Sequence, residues 1–213
     1  LITGRSRETG PLFFFRGGSV SDPSRRPDRA AAERAIADLI RALGLDPATE
    51  PELAATPSRV ADLYAEAFAG LAPGAEPELA TFPATAGDLV VVRDLPFHSL
   101  CVHHFVPFFG VAHIAYLPGE RWIGISGAAR LLDLYARRPQ LQERLTAQIA
   151  DHLERLVAPR GVAVMMEARH LCMEMRGIRK PGVVETRAVR GALAAPEWAH
   201  ALPMTGRMRA GPA

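Results

Sequence analysis

Between Val102 and Leu117 the chain is rich in Val, Phe, Ile and Tyr, and Val106, Phe108, Gly110, Ala112, Ile114 and Tyr116 recur at every second position. A period of two puts these six on one face of a strand, and that face needs a covering layer. Helical patterns on either side of the strand region supply candidates. Ala35, Ile36, Leu39, Ile40 and Leu43 fall at helical spacing, with Asp28 placed to cap the helix and Gly44 to end it. A second helix is expected at Pro57, capped by Thr56, with Val60, Leu63, Tyr64, Ala67 and Phe68 on its apolar side and Gly70 closing it. Leu89–Val92 and Trp122–Ile125 read as short strands. Ser126 is expected to cap a helix carrying Leu131, Leu132, Leu134 and Tyr135. Pro139 is expected to start another, with Leu141, Leu145, Ile149, Leu153 and Leu156 in register. Val162–Met166 and Gly182–Val189 complete the strands.

Runs of helices alternating with runs of strands predict an α+β fold, with helices on one face of an antiparallel sheet. The expected divisions are a mobile tail over residues 1–28, a helical region over 29–72, a connection over 73–86 rich in Pro, Gly and Ala, a catalytic domain over 87–192 and a tail over 193–213. With 25 Lys and Arg against 23 Asp and Glu, the net +2 is too weak a field to argue for nucleic acid. Two cysteines in 213 residues exclude a disulfide-stapled scaffold. No apolar run approaches the ~20 residues that span a bilayer, and Leu12–Phe15 is too short for a signal-peptide core. The expectation is a soluble, cytoplasmic protein with no membrane partner.

The densest chemistry lies in His98-Ser99-Leu100-Cys101-Val102-His103-His104. Cys101 and His104 have the C-x-x-H spacing that lets two side chains meet one ion across a turn. The second cysteine, Cys172, follows His170 by two positions. Cys, His and Cys suit Zn²⁺, and three protein ligands leave a fourth position open, as in catalytic zinc sites. His103 and His170 remain as candidate general acid and base. The alternative is that both cysteines are buried hydrophobes. His113, His152 and His200 read as ordinary polar residues. Ser126 and Arg130, one turn apart, and Arg176, Arg179 and Lys180 form basic groups suited to a phosphorylated ligand, or ordinary solvated surface charge. Gln142-Glu143 opens a helix. A carboxylate there suits the helix N-terminus and could also accept two N–H bonds from a guanine edge.

Three long stretches together resemble the GTP cyclohydrolase I family: Ser99 through Phe108, Arg137 through Thr146, and His170 through Gly182. Thr56-Pro57-Ser58-Arg59-Val60-Ala61 adds a fourth, and the likeness extends from Arg29 to Gly191. The resemblance implies the tunnelling fold, an antiparallel four-stranded sheet under two long antiparallel helices. In this family such sheets join into pentamers that stack as decamers, with active sites between subunits. It implies hydrolysis of GTP at C8, formate release and rearrangement to 7,8-dihydroneopterin triphosphate, the entry to pterin and folate-type pathways. Carried over by position, Cys101, His104 and Cys172 would hold zinc, and His103 and His170 would move protons. Gln142 and Glu143 would hold the guanine edge. Ser126, Arg130, Arg176 and Arg59 would face the ribose and triphosphate. Two departures stand out: Val102 replaces a usual Glu, and Gly127 replaces a usual Lys. They leave room for a divergent paralogue acting on another purine nucleotide, or for a non-catalytic pterin- or nucleotide-binding assembly subunit.

Overall fold

Asp28 starts the first helix by the mechanism its residue type suggests: its carboxylate accepts the Ala31 N–H at 2.9 Å. The computed structural model describes residues 27–198. The expected tail before residue 27 and the end of the chain after 198, including His200, lie outside the described residues. Helix α1 spans Arg29–Ala42, and Gly44 follows its end at φ +85°. Helix α2 spans Thr56–Ala67. Thr56 is inside it rather than capping it. The chain enters from a 3-10 turn at Pro51–Leu53, and the preceding residue, Ala55, already has φ −96° and ψ −2°, not the extended geometry of a capping residue. Arg29 ties the two helices together, donating to Asp62 at 2.5 and 3.0 Å and to Ser58 at 2.7 Å.

The strands follow: β1 Thr81–Pro83, β2 Val90–Cys101, β3 Pro107–Leu117 and β4 Arg121–Ile123. Then come α3 Ile125–Ala136, β5 Pro139–Gln140, α4 Gln142–Val157, β6 Gly161–His170, the short α5 Leu171–Glu174 and β7 Val183–Gly191. β1 and β4 form a small antiparallel pair. The main sheet has the order β5-β2-β3-β6-β7, in which the four long strands are antiparallel and β5 adds a short parallel edge. The α+β expectation holds at this level.

Other boundaries differ from the sequence reading: the strand expected over Trp122–Ile125 is β4, ending at Ile123, and Ile125 already opens α3. Pro139 does not start a helix. It pairs with Leu100 in β5, an edge position where a missing N–H breaks no ladder, and α4 begins three residues later. Ser126 does not cap α3: Gly124 precedes that helix, and no side chain caps it.

The predicted alternation in β3 is real. Phe108, Ala112, Ile114 and Tyr116 are buried in one core with Leu131 and Leu132 of α3 and Leu145, Ile149 and Leu153 of α4. The opposite face is also covered at one end, where Ala115, Leu117, Ala163 and Met165 pack with Leu193 and Trp198. Residues 193–198, expected to belong to a tail, therefore fold back onto the sheet. No helix among the described residues is long and apolar enough to cross a membrane.

Candidate metal centre and active site

β2 ends at Cys101 in a tight return. The N–H groups of His104 and Phe105 both donate to the Cys101 carbonyl, at 3.3 and 2.8 Å, while Cys101 N–H donates to Val106 O at 3.0 Å. Phe105 takes the left-handed conformation, φ +52°, that this turn requires. It packs against Phe68 and Tyr64 of α2, with ring centroids 5.2 and 6.0 Å away. The turn brings the Nδ1 atoms of both His103 and His104 to 3.8 Å from Cys101 Sγ.

The third ligand candidate arrives by register. Phe108 pairs with His170, so β6 ends beside the turn and α5 immediately presents Cys172. The ligand atoms of Cys101, His104 and Cys172 all lie within 4.8 Å of one another. Tetrahedral zinc with ordinary Zn–S and Zn–N bonds sets S···N at about 3.6 Å, so the 3.8 Å between Cys101 and His104 fits with little movement. Burial, and then the neighbouring Cys101, push the Cys172 thiol up from its ordinary pKa. A divalent cation between the sulfurs reverses that by favouring thiolate.

His170 lies half-buried against this set, its ring parallel to Phe108 at 4.7 Å and 3°. Its Nε2 is 2.7 Å from Gln142 Oε1. Burial pushes its pKa below the ordinary value, against the opposing pull of Glu143 and Glu174. Gln142 itself is 1% exposed. Its amide nitrogen is committed to Met166 O, Val184 O and Thr186 Oγ1. Its side-chain donors are thus engaged within the protein. Glu143, the next residue, is exposed.

A scan against protein families matches residues 32–205 to the model described as GTP cyclohydrolase I. The chain belongs to the GTP cyclohydrolase I family. The protein named GTP cyclohydrolase 1 in Mycobacterium tuberculosis is 54% identical over 168 residues, covering 77% of this chain and 83% of that one. The protein of that name in Mycolicibacterium paratuberculosis is 53% identical over 182 residues, covering 82% and 89%. Among solved structures, the apo form of an archaeosine synthase QueF-Like aligns with TM-score 0.43 at 20% identity, covering 51% of this chain and 98% of that chain.

Of the remaining residues suggested by likeness to GTP cyclohydrolase I, Arg176 lies near the cluster, while Ser126 and Arg130 sit toward the other end of α3. Arg176, exposed in the loop after α5, is close enough to Cys172 to act on its thiol. Ser126 and Arg130 are exposed on the first turns of α3. That helix starts from β4, which is bonded to Tyr116 at the far end of β3, and its last residue, Ala136, accepts from Ser99 near the turn. Twelve residues of helix put about 18 Å between its ends. Arg59 is exposed on α2.

Gly127 has a packing explanation. It is buried, and a Cβ there would lie 2.6 Å from Ile123 Cγ1. A larger side chain there would have to displace Ile123. Sequence reading missed the part played by Phe105 and Phe108. Tyr64 and Phe68, spaced i, i+4 on α2, were the available signal for the first. Only strand register reveals the second.

Proposed function

We propose that this protein hydrolyses GTP at C8, releases formate and rearranges the remainder to 7,8-dihydroneopterin triphosphate, in a zinc site held by Cys101, His104 and Cys172. The observation that carries this reading is the convergence of those three ligand atoms, with His103 and His170 beside them, in a chain of the GTP cyclohydrolase I family. Zinc bound there supplies Lewis acidity and a nucleophilic water at neutral pH. His103, on the same turn as the ligands, protonates the purine nitrogen as the imidazole ring opens. His170, with its pKa held down by burial, is neutral near pH 7 and takes up protons in the later ring-opening and ribose steps. Exposed Glu143 accepts from the guanine edge, and Arg176 meets the triphosphate.

Ser126, Arg130 and Arg59 act from another copy of the chain. The described sheet leaves β7 as an open edge, which a second sheet can extend. Closing such edges around a ring gives the tunnelling-fold barrel and, by stacking, a decamer. It also carries the start of one α3 toward the turn of a neighbour. A nucleotide substrate fits a cytoplasmic enzyme, and the product serves pterin and folate-type synthesis.

Incubating the zinc-loaded protein with GTP should release formate and yield a pterin that fluoresces after oxidation. Intact GTP after prolonged incubation would overturn this reading.

A further inference from the structure

Gln142 carries a hydrogen-bond pattern that settles where a proton sits. An amide oxygen and nitrogen can be interchanged by a flip, so their placement must follow from the partners. The backbone carbonyl of Gln142 only accepts, so the Thr146 hydroxyl spends its one hydrogen on it, at 2.7 Å. Thr146 Oγ1 must then accept from the Thr186 hydroxyl, at 2.6 Å. Thr186 has no hydrogen left and accepts from Gln142 at 3.2 Å, so the amide atom on that side is nitrogen. The carbonyls of Met166 and Val184, at 3.1 and 2.9 Å, require the same. The oxygen therefore faces His170 Nε2 at 2.7 Å, and the hydrogen between them belongs to His170. A neutral imidazole has one N–H, which leaves the lone pair on Nδ1.

We infer that Gln142 is a positioning residue that locks His170 in the Nε2–H tautomer and so leaves Nδ1 as the ring atom open to a ligand or proton. This rests on the proposed proton-transfer role of His170. The Nε2 hydrogen stays on His170, donated to Gln142 Oε1. The parallel Phe108 ring holds the imidazole plane in place.

The test is a ¹⁵N spectrum of histidine-labelled, zinc-loaded full chain, with the His170 signals identified by their loss in His170→Ala. The expected result is a protonated Nε2 and an unprotonated Nδ1 in the neutral ring. A proton on Nδ1, or an averaged pair of signals, would overturn the lock. Gln142→Met removes the acceptor. It should give averaged signals and a kcat about 10- to 100-fold lower, a loss no larger than the scale of general acid–base catalysis itself, with KM for GTP unchanged. The parent spectrum decides the matter even if that variant does not fold. Full turnover by His170→Ala would remove the catalytic role and the inference with it. An Nδ1–H spectrum together with an inactive His170→Ala would remove the lock alone.

Discussion

The two ends of the long sheet are finished in different ways. At the end where Leu100, Pro107 and His170 lie, one chain brings together three candidate metal ligands and two histidines. At the other end, where Val90, Tyr116 and Val162 align, the strands stop in packing. Tyr116 accepts from Ile123 N–H at 3.2 Å, Arg160 donates to Pro118 O and Gly87 O, and Leu193 closes the far face. Among the described residues that end carries Ser126 and Arg130, both exposed at the start of α3. Under the proposed function, one end is a reaction centre without a full ligand grip and the other offers part of a grip without a reaction centre. On that reading, two copies make one site.

The largest effect belongs to the first end. Cys172→Ser should release the metal and abolish turnover; retained zinc by elemental analysis, with full activity, would break the comparison at its root. Next, His103→Ala and His170→Ala should keep fold and zinc yet lose rate by roughly 10²–10⁴, the scale of general acid–base catalysis. Stopped-time product analysis should show the two failing at different steps.

At the second end, filling the packed junction should act on stability instead. Gly127→Lys must push aside Ile123 in the packed junction between β4 and α3. It should cost about 1–3 kcal/mol, as overpacking does, read as a lower Tm, without improving KM for GTP. A lower KM would restore the view that this position touches triphosphate.

The smallest effect is on pH dependence. His152, buried and 3.0 Å from the Tyr135 hydroxyl, has its pKa pushed down by burial, which outweighs the opposing pull of Glu76; Arg155 and Arg138 push it down further. The unfolded chain therefore binds its proton first, and stability should fall as pH drops below about 6.5. His152→Gln should flatten the decline in Tm between neutral and mildly acidic pH. An unchanged slope would place the titrating group elsewhere.

Much of this was legible in the residues. The alternation from Val106 to Tyr116 identified β3 and its buried face because burial on one side of a strand imposes a period of two. The C-x-x-H spacing marked Cys101 and His104 because a single turn fixes their separation. Other features were set by partners distant in sequence. Pro139 has the local signature of a helix start, yet the ladder with Leu100 holds it extended. Thr56 and Ser126 have capping side chains, but the chain enters both helices without using them. By sequence, Gln142 reads only as the neighbour of Glu143 at a helix start. Val184 and Thr186, brought in by β7, turn it inward to His170.

The central claim, that one site takes groups from two copies, is tested most directly by subunit complementation. Cys172→Ser spoils the reaction centre and Arg130→Ala spoils the grip, each leaving the other end intact. Co-expressed and co-purified, the two inactive or weakened chains should form mixed assemblies in which some sites combine an intact Cys101–His104–Cys172 set with an intact Arg130. Activity should then clearly exceed the sum of the two variants measured alone. Activity no greater than that sum, in preparations shown to contain both chains in one assembly, would mean that each chain completes its own site and would contradict the account.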